Sequence, residues 1–325
     1  MARAVVVRET GGPEVLKVEE HAVPNPGEDE ARVRVAAAGI NFRDTLMRAG
    51  SGTPPLPWIP GNDGSGVVEE IGPGVTGLKV GDRVCWTGGG TYGGAYASET
   101  TLPAERLVRV LDGVSDEQAA AVPVQGMTAH YLVKSTRVTS PGDSALVHAV
   151  AGGVGLLLTQ MLKAAGATVI GTCSSDDKAA LAREMGADEI IRYDREDLHE
   201  AVMRITGGAG VDVVYDSVGK STFDAGLASL KTRGMMVLYG SASGDVPPLN
   251  LARLNERGTF VTRPSLVHYA RDRSEVEWRT NEVLEAVASG QLRVHIGGRY
   301  SLDKAAQAHR DMSARGTVGK LILTP

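Results

Sequence analysis

At 325 residues, 42% of them hydrophobic, with a formal net charge of −5, the chain can bury a large core and is expected to hold two domains. The acidic balance argues against a nucleic-acid or membrane surface, and no run of ~20 apolar residues predicts a transmembrane helix. Cys85 and Cys173 lie far apart without C-x-x-C spacing, so neither a disulfide framework nor a structural zinc site is expected, and a reducing cytoplasm fits.

The chain opens with Met1-Ala-Arg-Ala-Val-Val-Val-Arg8, too short an apolar stretch for a signal peptide and readable as a strand. Up to about residue 122, β-like runs (Ala2–Arg8, Leu16–His21, Ala31–Ala38, Gly66–Ile71, Arg83–Trp86) alternate with turns rich in Gly, Pro and acids. That pattern predicts a mainly antiparallel, barrel-like domain.

A different rhythm begins at Ala145-Leu-Val-His-Ala-Val-Ala-Gly-Gly-Val-Gly155, where an apolar run enters a glycine turn and a helical pattern follows over Val154–Lys163. Strand, tight turn and helix in that order suit a dinucleotide, because glycines admit a pyrophosphate and a helix N-terminus offers free N–H groups. The turn departs from plain G-x-G-x-x-G: Val150 takes the first glycine's place, and Gly152 and Gly155 hold the other two. Next come a strand at Ala167–Cys173, a helix at Ser175–Met185 stopped by Gly186, and a strand at Glu189–Tyr193. A helix at Asp197–Thr206, a strand at Val211–Tyr215, a helix at Thr222–Lys231 and a strand at Met235–Tyr239 complete the pattern. Such alternation predicts a doubly wound parallel sheet, hence an α/β fold.

The segment after the second strand speaks to the choice of dinucleotide. An NAD site places an acid there to bind the ribose 2′-hydroxyl, whereas Thr172-Cys173-Ser174-Ser175 offers none. Ser174, Lys178 and Tyr193 supply hydroxyls and a cation suited to a 2′-phosphate, which favours NADPH over NADH. Asp176 and Asp177 read as first-turn acids of the next helix, although another turn geometry would bring one of them to the ribose. Beyond a strand at Thr259–Thr262, helical patterns at Ser274–Ser289 and Leu302–Ala314 and a strand at Val318–Leu323 return the chain to its first domain. The expected division is a β-rich domain from residues 1–124 and 267–325, with a dinucleotide-binding domain of residues 125–266 inserted, and a substrate cleft between them.

Blocks spread along nearly the whole chain carry a family likeness: Gly11-Gly-Pro-Glu-Val-Leu16, Gly39-Ile-Asn-Phe-Arg-Asp-Thr45, Pro60-Gly61 through Gly66, Gly81-Asp-Arg-Val84, Gly126-Met-Thr-Ala129, the glycine turn, Thr262-Arg-Pro-Ser-Leu266 and Gly319-Lys-Leu-Ile-Leu323. In this order they resemble the zinc-free quinone oxidoreductase (zeta-crystallin-like) branch of the medium-chain dehydrogenase/reductase superfamily. The resemblance implies a Rossmann-type sheet inserted in a GroES-like domain, NADPH as cofactor, and a homodimer paired through strands near Gly258–Thr262. Zinc-dependent members have a cysteine ligand where this chain has Asn41 and a His-Glu pair where it has Asn62-Asp63. With those ligands and the four-cysteine lobe missing, and no H-x₃-H cluster among seven histidines, no metal is expected.

The resemblance implies hydride transfer to an acceptor that needs little polarisation, a quinone or an activated alkene. Asn41 would sit near the nicotinamide and hydrogen-bond a substrate carbonyl, although it also reads as a turn residue before Phe42. Phe42, Arg43 and Thr45 are implied along the cofactor, and Thr128 at the start of the cofactor domain's first helix. Gly152, Gly153 and Val154 would meet the pyrophosphate, Ser217, Tyr239, Gly240 and Ser241 would line the strand ends, and Arg263 would reach the cleft. Lys320 matches a basic position that the superfamily uses on the pyrophosphate, and otherwise reads as a solvated strand-edge lysine. Many relatives carry tyrosines at Leu46 and around Ser51; their loss disfavours an enoyl thioester reductase, and Tyr92 or Tyr96 are the available replacements. The leading expectation is an NADPH:quinone reductase, followed by an enone or 2-alkenal reductase, and then by an NADPH-binding crystallin-like or RNA-binding role that the acidic charge disfavours.

Overall fold

The computed structural model describes residues 1–88 and 94–325. The chain begins with β1 (Ala2–Val6), β2 (Lys17–His21), β3 (Glu30–Ile40), helix α1 (Phe42–Arg48), β4 (Asp63–Ile71), β5 (Arg83–Thr87), β6 (Glu99–Pro103) and β7 (Leu107–Arg109). A helical run then contains α2 (Asp116–Ala121) and α3 (Met127–Tyr131), with wider turns at Val122–Gly126 and Leu132–Thr136. Strand–helix alternation follows: β8 (Ser144–Val147), α4 (Gly153–Ala164), β9 (Thr168–Cys173), α5 (Asp176–Glu184), β10 (Glu189–Arg192), α6 (Leu198–Ile205), β11 (Val211–Asp216), α7 (Phe223–Ala228) and β12 (Leu230–Leu238). The chain ends with α8 (Ala252–Asn255), β13 (Phe260–Thr262), α9 (Leu266–Tyr269), α10 (Arg273–Ala288), β14 (Ile296–Ser301), α11 (Ala305–Ser313) and β15 (Lys320–Thr324).

Two compact units emerge, Met1–Thr128 with Tyr269–Pro325, and Ala129–His268. The break expected at 124/125 moves because helical turns run unbroken from Asp116 to Thr136, so no loop separates the units there. Thr128 sits inside this run, as the second residue of α3 and the last residue of the first unit's opening segment.

In the first unit, a seven-stranded sheet runs β14-β15-β3-β4-β5-β7, with β6 also on β3. All its pairings are antiparallel except β14 with β15. The eleven-residue β3 can serve three neighbours because bulges at Arg32/Val33 and Val35/Ala37 turn it along its length. Val33, Val35, Trp86, Leu107, Leu302, Leu321 and Leu323 fill the core beneath it. Strands β6, β7 and β14 were not legible in the sequence: Glu99-Thr-Thr-Leu-Pro103 is half polar, Leu107–Arg109 is three residues, and β14 carries two glycines.

The second unit is a wholly parallel sheet in the order β10-β9-β8-β11-β12-β13. The chain starts at the centre, walks to one edge and returns to build the other, so the order reverses between β8 and β11, where doubly wound sheets bind ligands. Leu146, Ile170, Ile191, Val214 and Met236 fill one face of its core. The helix expected over Thr222–Lys231 stops at Ala228, because Leu230 already pairs with Val211 as the first residue of β12.

Candidate functional site

The strand–turn–helix at β8 and α4 has the form expected of a dinucleotide site. Gly152 is the N-cap of α4 in extended conformation with no side-chain cap, and Gly153 and Val154 open the helix. Nothing in the helix's own ladder can accept from its first N–H groups, which therefore suit a phosphate. A Cβ on Gly155 would lie 2.5 Å from the Ala149 carbonyl oxygen and 2.6 Å from that of Val150, so only glycine allows the helix to start this close to the turn. Val150, where a first glycine is usual, is accommodated from the neighbouring strand: a Cβ on Gly171 of β9 would meet the Val150 side chain at 2.7 Å.

At the carboxyl end of β9, the Ser175 hydroxyl caps α5 by accepting from the Lys178 backbone N–H, and Ser174 and Lys178 are half-buried beside it. Tyr193, just past β10, is exposed. Of the two first-turn acids, Asp176 is ion-paired with Arg192 and Arg195, and Asp177 is exposed. These two arginines went unremarked in the sequence because Arg192-Tyr-Asp-Arg195 reads as a strand end and a solvated turn. The register that sets Arg192 beside Cys173 is what brings them to the end of β9.

On the other side of β8, the ends of β11 and β12 lie side by side. Asp216 accepts from the Val218 and Gly219 N–H groups at 2.7 and 3.0 Å and from the Thr222 hydroxyl at 2.8 Å, which fixes the turn carrying Ser217. A Cβ on Gly240 would strike the Ser217 carbonyl oxygen at 2.6 Å, so Ser217, Tyr239, Gly240 and Ser241 share one edge of the sheet. Burial holds the Tyr239 phenol well above its ordinary value, keeping it neutral. Arg263, beyond β13, is exposed and 3.5 Å from Asp245.

The first unit holds a second constellation, a buried polar cluster. Asn41 precedes α1, and its backbone N–H donates to Asp44 at 2.8 Å. Its side-chain N–H donates to Asp63 Oδ1 at 2.7 Å, while its Oδ1 accepts from the Lys320 ammonium at 2.9 Å. Lys320 also donates to Asp63 Oδ2 at 2.9 Å. At 1% exposure Lys320 is not a solvated strand-edge residue, and its ammonium is held between Asn41 and Asp63. Gly39 makes this possible, since a Cβ there would lie 2.3 Å from Asp63 Oδ1 and 2.6 Å from Lys320 Nζ.

A second branch runs through Asp44, which accepts from Asn62 at 2.8 Å and from the Tyr96 hydroxyl at 3.3 Å. Burial pushes the Asp44 carboxyl up to about 6, helped by the nearby Asp63 charge, yet it is still ionised at neutral pH and can only accept. Tyr96 must then donate to it. Tyr96 Oη also lies 3.1 Å from His309 Nε2, and burial with the nearby Arg48 charge lowers the His309 pKa to about 3, so its ring is neutral at pH 7. Tyr96 is fully buried and its phenol raised well above its ordinary value. Tyr92, the other candidate replacement, lies outside the described residues. On α1, Phe42 is half-buried, Arg43 exposed, and the Thr45 hydroxyl donates back to the Phe42 carbonyl at 2.7 Å. Leu46 is half-buried and Ser51 exposed.

These donors do not fit a catalytic zinc. The Asn41 and Asn62 amides are poor ligands already bonded to carboxylates, and the lysine ammonium supplies the positive charge that Asp63 needs. Among the described residues, no group of three or more His, Cys, Asp or Glu is placed to hold a metal ion.

Comparison with known proteins agrees with both units. Residues 27–112 match the model of the alcohol dehydrogenase GroES-like domain, and residues 153–284 that of the zinc-binding dehydrogenase family. The chain is 42% identical to a Burkholderia 2-haloacrylate reductase, covering 100% of this chain and 99% of that protein. It is also 42% identical to a Pseudomonas aeruginosa quinone oxidoreductase, over 100% of both chains. Among solved structures, the Escherichia coli quinone oxidoreductase complexed with NADPH superposes with a TM-score of 0.96 at 40% identity, covering 100% of both chains.

Proposed function

Because the chain belongs to the quinone oxidoreductase branch of the medium-chain dehydrogenase/reductase superfamily, we propose that it is an NADPH-dependent quinone reductase that works without a metal ion. The observation that carries this reading is the glycine turn at Gly152–Gly155 beside an acid-free β9 end, in a chain that superposes along its whole length on a quinone oxidoreductase holding NADPH. When bound, NADPH supplies the hydride equivalent. Gly152, Gly153 and Val154 hold its pyrophosphate, Ser174, Lys178 and Tyr193 its 2′-phosphate, and Ser217, Tyr239, Gly240, Ser241 and Arg263 the remainder. Phe42, Arg43, Thr45 and Thr128 complete its contacts.

Asn41 serves the acceptor. Lys320 on its oxygen and Asp63 on one N–H fix which way the amide faces, and the second Nδ2 hydrogen donates to the acceptor's oxygen as charge develops there. Lys320 thus supports Asn41 in place of the pyrophosphate. The likeness to a 2-haloacrylate reductase favours a second reading, reduction of an activated C=C bond conjugated to a carbonyl. Two buried free thiols, Cys85 pushed up to about 12 by burial, are consistent with a reducing cytoplasm.

Steady-state oxidation of NADPH and NADH with 1,4-benzoquinone, 9,10-phenanthrenequinone and a 2-alkenal, with and without EDTA, tests the proposal. Turnover of NADPH with a quinone, unaffected by EDTA, is expected. Turnover with the alkenal alone would establish the second reading, and loss with EDTA would overturn metal independence.

A further inference from the structure

We infer that Asp176 is an internal stand-in for the cofactor's 2′-phosphate: its carboxylate occupies Arg192 and Arg195, and the phosphate displaces it from them. The inference rests on the NADPH reading and adds two specificity-determining arginines to it.

The geometry lies within one strand–turn–helix neighbourhood. Arg192 is only 12% exposed along its side chain and is anchored on its inner side: Nη2 donates to the Ser174 carbonyl at 3.2 Å, and Nε and Nη2 grip both oxygens of Asp194 at 2.9 Å. Arg192 holds the Asp194 carboxyl below the usual carboxylate range. The remaining nitrogen, Nη1, points to Asp176, which also takes two contacts from Arg195, at 3.0 and 3.3 Å. The partners differ in how firmly they are held. The Asp176 side chain is 74% exposed and that of Arg195 60%, so their pairing is screened by water and weak, whereas the Arg192–Ser174–Asp194 arrangement stays fixed.

Three cations (Lys178, Arg192, Arg195) and three acids (Asp176, Asp177, Asp194) make up this end of β9 and β10. A carboxylate with one charge and two oxygens competes poorly against a phosphate monoester with nearly two charges and three oxygens, for which planar guanidinium forks are well shaped. When the phosphate arrives, Asp176 swings into solvent from the first turn of α5, and no buried charge is stranded. NADH brings no anion to effect that exchange, and it meets Asp176 still paired.

Calorimetric titration of the full-length protein with adenosine 2′,5′-bisphosphate and with adenosine 5′-monophosphate tests this, alongside KM for NADPH and NADH. In Asp176→Asn the bisphosphate should bind about threefold to tenfold more tightly and KM for NADPH should fall, with the monophosphate unmoved. Arg195→Met, an exposed site that leaves folding intact, should weaken the bisphosphate about tenfold, and Arg192→Met should weaken it further. If wild type binds both nucleotides alike, the NADPH reading itself fails. If wild type discriminates but Asp176→Asn and Arg195→Met behave like it, or shift both nucleotides equally, the exchange is overturned.

Discussion

Single residues decide the character of the polar cluster in the first unit. A metal-binding relative has a cation among thiolate, imidazole and carboxylate; here an ammonium from β15 stands beside amides and Asp63, and the absent side chain of Gly39 leaves room for it. Asp44 shows what such burial costs. Its carboxyl is pushed up from 3.8 to about 6, so the folded state holds the proton more tightly than the unfolded chain. The stability this confers is complete below about pH 4 and is lost as pH rises through 6, by an amount on the order of 3 kcal/mol. Asp44→Asn removes that titration while Asn62 can reverse its amide to answer the new donor. Chemical denaturation at a series of pH values should show wild type losing stability relative to Asp44→Asn between pH 4 and 6, with a constant difference above pH 7. A flat difference across that range would mean that the carboxyl titrates normally.

At the scale of elements, the glycine turn depends on a pair that no local pattern connects. Val150 fits only because β9 offers Gly171 opposite it. Gly171→Ala should cost about 1–3 kcal/mol through overpacking and weaken NADPH binding. Val150→Gly, which also removes the Val150 Cβ lying 2.8 Å from the new methyl, should recover most of that loss in the double variant, and thermal melts of all four proteins measure the coupling. If the two changes add independently, the strand and the turn are not in contact in the way described. The same distinction separates what was legible in the sequence from what was not. The parallel unit could be read directly, since β8, β9, β10 and β11 are apolar runs bounded by helix caps such as Ser175 and Asp197. The antiparallel unit hid β6, β7 and β14, whose pairing with long neighbours substitutes for any propensity of their own. Asn41 could be singled out by resemblance, but its tie to Lys320 spans 279 residues of sequence, and the pairing of Asp176 with Arg192 depends on strand register. Contacts of both kinds leave no trace in spacing.

For the molecule as a whole, the parallel sheet ends at β13, three residues paired on one side with β12. An edge strand presents unpaired backbone groups to whatever can extend it, and soluble proteins usually protect such edges with charge, a bulge or a partner. This one carries Phe260 at 55% exposure and half-buried Val261 and Thr262, with no charged side chain among its three residues. We propose that a second copy of the chain meets it about a two-fold axis, which would satisfy the backbone of both strands and cover both phenylalanines, in the homodimer that the sequence resemblance implies. Phe260→Lys places an ammonium where the two copies would meet, while its cost to the isolated unit is small because the site is already open to water. Sedimentation velocity should therefore find wild type as a dimer and Phe260→Lys shifted toward monomer, with the circular dichroism spectrum retained. A wild-type monomer would rule out the dimer. A Phe260→Lys dimer as tight as wild type would move the interface away from β13, because a charge from each copy cannot be buried against the other without loss of affinity.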